Sequence, residues 1–409
     1  MLRSMYSGIS GMKNFQTKLD VIGNNIANVN TYGYKKGRVT FQDLMNQTVS
    51  GASRATANRG GQNAKQVGLG SSLSSIDTIQ TQGSLQTTGR SLDVAISGDG
   101  YFVVRQGNNE MFTRAGNFYL DSNGNLVTGQ GNLVQGYPVG ANGVVNKSGT
   151  ADIKIDTNTT MAPQATTVAT YNGNLKSSAA IGTPVEIETK VKDSLGKDIS
   201  LKLIMEKSGS NEWSVKISSL TSNVSASLDP NAEITFDNFG AVKTPASGIF
   251  NITLTNSTGA NPSQNIDLDF SKISQFDSSS SANVDTVDGN SEGYLESFNI
   301  GSSGEVNGVF SNGEVRVLSQ LALATFSNPG GLTKAGNNLF QASNNSGLPN
   351  QGVAGEGRGS LQSGSLEMSN VDLSEEFTEM ITAQRGFQAN TRIITTSDEI
   401  LQELVNLKR

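Results

Sequence analysis

Residues 1–30 read MLRSMYSGISGMKNFQTKLDVIGNNIANVN. Leu2, Met5, Ile9, Met12, Phe15, Leu19, Ile22 and Ile26 recur at spacings of three and four, which places them on one stripe of a helix. About 25 residues at about 1.5 Å each make a rod of about 40 Å. Lys13, Asn14, Thr17, Lys18, Asn24 and Asn25 fall on the opposite, polar face. Gly8, Gly11 and Gly23 interrupt the stripe. Each costs about 1 kcal/mol against Ala inside a helix, so the pattern predicts a helix that needs a partner.

The other end of the chain supplies one. Leu373, Phe377, Met380, Ile381, Phe387, Ile394, Leu401, Leu404 and Leu407 keep a similar period, with Gly386 inside it. Asp372 followed by Glu375 reads as an N-cap with its capping-box acid. Glu376 and Glu379 suit the first turns of such a helix, and Lys408 and Arg409 suit its end. Residues 1–60 hold eight Lys/Arg against two Asp/Glu, whereas residues 372–409 hold four against seven. The two ends are therefore expected to pair as a coiled coil. Its seam would be Leu2, Met5, Ile9, Met12, Phe15, Leu19, Ile22 and Ile26 with Phe377, Met380, Ile381, Phe387, Ile394, Leu401 and Leu404. A seam so rich in glycine is weak in one copy, and neighbouring copies would add the missing burial. The pattern thus points to polymerisation.

Between the ends the period changes to two. Asp93–Ile96 and Tyr101–Val104 flank Ser97-Gly98-Asp99-Gly100, and Phe118–Leu120 and Leu126–Val127 flank Asn123-Gly124; both read as hairpins. Val185, Ile187, Thr189 and Val191 alternate up to a turn at Ser194–Lys197, and Leu201, Leu203 and Met205 follow. Further strands are expected around Trp213–Ile217, Ile234–Phe236, Ile252–Leu254, Ile266–Leu268 and Val315–Val317. Residues 50–70 read as a Gly/Ser/Asn-rich loop, and 277–292 and 341–365 as polar linkers. The expected fold is mainly β with terminal α-helices and nested β-domains. Its parts are an N-terminal helix in 1–30, an extended linker in 31–75, a discontinuous first β-domain in 76–169 and 291–365, an inserted β-domain in 170–290, and a C-terminal helix in 366–409.

Composition removes many functions. The 409 residues include no Cys and no His. Disulfides, Cys- or His-ligated metals, thiol nucleophiles and the Ser–His–Asp triad are thereby excluded. A formal charge of −6 argues against nucleic acid as a partner. No apolar run is long enough to span a membrane, and the start lacks the apolar core of a cleaved signal. Hydrophobic residues make up 35%, and 46 residues are Gly, which suits thin β-layers rather than one thick core.

Three local patterns have a chemical reading beside a plain one. Asp121-Ser-Asn123-Gly124-Asn125 begins like a calcium loop, but Leu126 and Asn132 stand where such a loop needs Gly and Glu, so a hairpin turn is expected. Gly352, Gly355, Gly357 and Gly359 lack the order and the Lys of a phosphate loop. Lys35, Lys36 and Arg38 beside Tyr32 and Tyr34 form a small basic-aromatic cluster, read as a solvated or subunit-contacting loop. No catalytic residue, metal or cofactor is expected.

These stretches also resemble a known family. Ser7–Met12 and Leu19–Thr31 are similar to the start of bacterial flagellar rod and hook proteins. Thr81–Arg90, Leu92–Phe102 and Thr113–Phe118 are similar to their shared β-domain, and Ser369–Leu373 through Ala383–Asn390 to their C-terminal signature. The insert at 170–290, opened by Asn172–Leu175 and carrying Asp193–Gly196, resembles the hook branch of the family. The resemblance implies a subunit of the curved, hollow flagellar hook, the flexible joint between rod and filament. In it the terminal helices would line a channel, the inserted domain would lie outermost, and the N-terminal segment would be disordered in the monomer. The implied partners are further copies, the rod, the hook cap, the hook–filament junction proteins and the flagellar type III export apparatus, which uses no cleaved signal. The implied location is outside the cell. The rival readings are a straight distal-rod protein of the same family and a secreted β-rich adhesin.

Overall fold

A computed structural model describes residues 2–55, 59–140, 143–156, 158–229, 232–256 and 259–407. The chain is mainly β, with helix α1 (Leu2–Ala27) at one end and α2 (Leu373–Asn406) at the other. Two compact units emerge. Unit 1 comprises 1–156, 298–307 and 317–409, and unit 2 comprises 157–297 and 308–316. Unit 2 is thus wider than the span 170–290.

Unit 1 is built on the strand Tyr101–Gln106, whose Val103 and Phe102 face opposite ways as the period of two requires. One face packs Tyr101, Val103, Phe112, Phe326 and Phe340 into a core. Rings meet edge to face there, with centroids 4.8 Å apart for Phe112 and Phe326 and 5.8 Å for Tyr101 and Phe326. On the other face Phe102 meets Phe118 at 5.0 Å. The hairpin across Asn123-Gly124 is present, pairing Phe118–Leu120 with Leu126–Thr128. Gly124 takes φ 79°, and the Asp121 carboxylate accepts the Asn123 and Asn125 amides at 2.8 and 2.7 Å and the Asn125 side-chain amide at 2.8 Å.

The hairpin expected across Ser97–Gly100 is not formed. Val94–Ser97 pairs with Ser360–Ser363, and Tyr101–Gln106 makes its hairpin with Asn109–Thr113. The connection between the two strands wraps the Arg114 guanidinium, which donates to the carbonyls of both Gly98 and Gly100. Alternation identified the strands but carried no information about their partners. Residues 341–365 contribute Asn350–Gly352 and Ser360–Ser363 to this unit, so they are not a linker. Residues 37–50 and 65–78 are likewise largely paired rather than loose. Gly37–Asp43 runs antiparallel to Ser71–Thr78, and Asn46–Ser50 to Lys65–Gly68; positions 56–58, within the expected loop, lie outside the described residues.

Unit 2 is a sandwich of two five-stranded sheets. One orders Val224–Ser227, Ile249–Asn256, Ser263–Phe276, Val168–Lys176 and Asn283–Val287; the other orders Pro184–Lys192, Asp198–Lys207, Glu212–Ser219, Glu233–Phe236 and Val242–Thr244. The inward residues alternate, with Ile199, Leu201, Leu203 and Met205 of one sheet sharing a core with Ile252, Ile266, Leu268 and Phe270 of the other. Trp213 and Tyr171 are its largest buried side chains. Val168–Lys176 and Ser263–Phe276 run parallel. The expected linker 277–292 instead supplies the edge strand Asn283–Val287, where Thr286 and Thr170 share a hydroxyl hydrogen bond of 2.5 Å. Backbone pairing here overrides a polar composition that reads as loop.

Candidate assembly site

Helices α1 and α2 pack antiparallel, the end of α1 against the start of α2. Asn25 of α1 donates to Glu376 at 3.2 Å, and Lys18 pairs with Glu379 at 3.0 Å. Farther along, the Thr391 hydroxyl meets the Met12 sulfur at 3.8 Å. Of the interrupting glycines, Gly23 has open space beside it, whereas Gly8, Gly11 and Gly386 lie where the helices cross. A Cβ on Gly386 would stand 2.5 Å from the Phe15 ring, and one on Gly11 2.9 Å from the Asn390 side chain. Their cost to the isolated helix is therefore offset by close approach.

On α2 the face toward α1 follows Glu376, Met380, Ala383, Phe387, Asn390, Ile394, Ser397 and Leu401, a 4-3-4-3 spacing. Met380, Phe387, Ile394 and Leu401 are partly covered there. On α1, Ile22 is buried, and Met5, Ile9, Met12, Phe15, Leu19 and Ile26 are partly buried. The side chains of Leu2 and Leu404, and the terminal Lys408 and Arg409, lie outside the described residues. Phe377 and Ile381 do not join this seam, being 50% and 59% exposed. Each follows a seam position by one residue and so points about 100° away from it. Leu373, Ile393 and Ile400 are also exposed along α2. The seam members that an apolar stripe could not reveal are Ala383, Asn390, Ser397 and Glu376, which are small or polar. Only the 4-3 spacing itself could have found them.

The double strand Gly37–Asp43 and Ser71–Thr78 lies along α1. Phe41 meets Phe15 edge to face at 6.4 Å, and Asn14 donates to the Ser71 hydroxyl at 2.8 Å. Where α1 ends, Asn25 acts as a hub. Its oxygen accepts the Gly37 amide at 2.9 Å and the Tyr34 hydroxyl at 3.2 Å, while its amide reaches the Gly37 carbonyl at 2.9 Å. Burial, then the nearby Glu376 charge, pushes the Tyr34 hydroxyl pKa up.

The expected solvated basic loop is corrected at this point, because Lys35 is only 2% exposed. Its ammonium reaches Glu367 at 2.7 Å and the Thr81 carbonyl at 2.8 Å. Glu367 also accepts from Arg114 at 2.6 Å and from the Gly83 amide at 2.8 Å. Burial pushes the Lys35 ammonium down, with Glu367 opposing it. Burial would raise Glu367, but Arg114 and Lys35 outweigh it and hold the carboxyl below its usual range. Lys36 pairs with Glu375 at 2.7 Å, and Arg38 with Asp77 at 3.4 Å on the surface. Asp372 caps α2 as expected, accepting from Ser374 and Glu375 at 2.8 and 3.4 Å. The Glu375 side chain goes to Lys36 rather than back to Asp372.

Glu376 gives this junction a pH dependence. Burial raises its pKa above 4.5; Asn25 and Lys36 oppose the rise, and Glu379 and Glu375 add to it. A carboxyl with a raised folded pKa binds its proton more tightly when folded, so its contribution to stability falls as pH rises through that interval. Glu376→Gln keeps an acceptor for Asn25 without the charge. The variant is expected to melt higher than the wild type at about pH 7 and equally near about pH 4. A lower melting temperature at neutral pH would mean that attraction to Lys36 outweighs burial.

Four family models match the chain: a flagellar basal-body rod protein model over residues 5–35, a flagellar hook protein FlgE/F/G D1 domain over 95–178, a flagellar basal-body protein FlaE D2 domain over 184–290, and a flagellar basal-body rod FlgEFG C-terminal model over 362–407. The flagellar hook protein FlgE of Borreliella burgdorferi is 40% identical, with all of both chains covered. The flagellar basal-body rod protein FlgG of Bacillus subtilis is 39% identical, again over all of both chains. The crystal structure of Helicobacter pylori hook protein FlgE2 shares the fold at a TM-score of 0.52 and 16% identity, covering 69% of this chain and 100% of that one. With its terminal helices paired and four family models matched in chain order, the chain belongs to the FlgE/FlgF/FlgG family of flagellar hook and basal-body rod proteins.

Proposed function

We propose that the chain is the structural subunit of the flagellar hook, self-assembling into a curved, hollow tube that flexes between rod and filament in bacterial motility. The observation that carries this reading is the set of apolar side chains left exposed on α2 after α1 has packed. Phe377 and Ile381 lie on one flank of the seam and Ile393 and Ile400 on the other, all exposed, where neighbouring copies of the same pair on both sides would cover them. The seam of Met5, Ile9, Met12, Phe15, Leu19, Ile22 and Ile26 against Met380, Phe387, Ile394 and Leu401 holds each pair. Phe377 and Ile381 serve the contacts around it. Polar Ser/Thr/Asn faces on unit 2 let copies slide at little cost, as bending demands.

In this reading the subunit leaves the cell through the flagellar type III export apparatus without a cleaved signal, and meets the rod, the hook cap and the junction proteins outside. Among the described residues no helix is long and apolar enough to cross a membrane. The full-length identity to a rod FlgG supports a second reading, a straight distal-rod tube. Electron microscopy under polymerising conditions, beside a chain trimmed to residues 31–365, separates the two. Curved tubes from the full chain alone are expected. Straight tubes would favour the rod, and no tubes, under conditions where a hook subunit assembles, would sink both.

A further inference from the structure

Glu367 binds three chain stretches that are remote in sequence. We propose that the Lys35–Glu367–Arg114 cluster is a positioning device that sets where both terminal segments leave the β-body of unit 1, and so fixes the register of the helix pair. Its use in assembly rests on the tube-forming reading; its effect on register does not.

The cluster is directional and complete. One Glu367 oxygen accepts from Lys35 and the Gly83 amide, and the other accepts from Arg114. The Glu367 carbonyl accepts the Gly33 amide at 2.8 Å, so the segment after α1 is held by backbone as well as side chain. The remaining Arg114 nitrogens are taken by Gly98 and Gly100, and Lys35 has Thr81. Every group has one place to go, which admits one geometry.

The apolar layers of the helix seam are less selective. Sliding α2 by one heptad, about 10 Å, exchanges Ala383 with Asn390 and Phe387 with Ile394. Those layers are small or loosely covered; what opposes the slip within the seam is the Phe15 ring against Gly386, where Ile393 or Glu379 would then stand. Beyond Glu367 the fixed points continue in order along the chain. Asn370 accepts the Lys36 amide at 2.8 Å, Glu375 takes the Lys36 ammonium, and Glu376 takes Asn25. Ten residues from Glu367 to Glu376 thus grip the thirteen from Asn25 to Gly37 before the apolar seam begins.

Buried ion clusters contribute little net stability compared with apolar replacements of similar volume. That separates positioning from mere support. The triple variant Lys35→Met, Arg114→Met, Glu367→Leu removes the charges together and leaves none buried alone. Hydrogen exchange on the full-length monomer then reads the junction directly. In the variant the amides of Gly33, Gly83 and Met368 are expected to lose about tenfold or more in protection, while those of Val103 and Val104 keep theirs. Its tubes should lose wild-type helical order. Unchanged junction protection together with wild-type tubes would overturn the proposal. Loss of protection throughout unit 1 would also overturn it, by making the cluster a stability element. A wild-type chain that forms no tubes would sink the assembly reading, and the exchange result would still decide the register claim.

Discussion

Replacing Ile394 with Asp is expected to abolish tube formation while both β-rich units stay folded. Ile394 packs where α2 crosses Gly8 of α1, and its side chain would stand 3.5 Å from a Cβ at that glycine. In the single chain that side chain is partly covered, and in the tube-forming reading the neighbouring copies bury it further. Burying the charge unpaired costs several kcal/mol, of order 3–5 by comparison with broken buried pairs. The β-body does not share that cost, because its core of Phe112, Phe326 and Phe340 lies elsewhere in the chain. Sedimentation should find monomer where the wild type pelets as tubes, with the β signal in circular dichroism unchanged. Tubes of normal yield would show that the seam is dispensable. A parallel loss of β-structure would place α2 inside the folding core of unit 1.

Excising residues 165–289 and closing the gap with a short Gly–Ser link is expected to leave a chain that still polymerises, with altered tube curvature. The cut is suited to the structure. Gln164 and Asn290 exchange backbone hydrogen bonds of 3.1 and 3.0 Å, so the ends already lie side by side and a tight turn can join them. The sandwich core removed, with Trp213, Tyr171 and Phe270, is drawn entirely from within the excised span. Electron microscopy reads the outcome as tubes whose bend differs from that of the full chain. Failure to polymerise would make unit 2 a structural necessity and refute the division of labour in which the helices hold and unit 2 tunes.

The sequence exposed those features that depend on local repetition. Large apolar residues at spacings of three and four marked α1, and Asp372 marked the start of α2. Alternation marked Leu201–Met205, and Asn123-Gly124 marked the hairpin of Phe118–Leu120 with Leu126–Thr128. Pairing between distant strands was not legible, since a strand at Val94–Ser97 carries no sign that its neighbour is Ser360–Ser363. Exposed strands rich in Ser, Thr and Gln, such as Asn46–Ser50, have no apolar face and so read as loop. The buried cluster was hidden for the same reason as the strand pairing. Lys35 and Glu367 lie 332 positions apart, and a lysine beside tyrosines gives no hint that it will be buried. On α2, exposed Phe377 and Ile381 were louder in the pattern than Ala383 and Ser397, which occupy the seam.

The parallel strands of unit 2 bear on how fast that unit can close. Val168–Lys176 has its parallel neighbour in Ser263–Phe276, with Val168 opposite Asp267. The first strand of its sheet therefore waits for almost the whole insert to be made before it finds a partner. Closing so long a loop is paid in chain entropy before any contact rewards it, and high contact order slows folding. Ile249–Asn256 and Ser263–Phe276 can pair locally as a hairpin, but Val168–Lys176 joins the sheet only after them. Such delay keeps the insert open until residues near its end are available to pair.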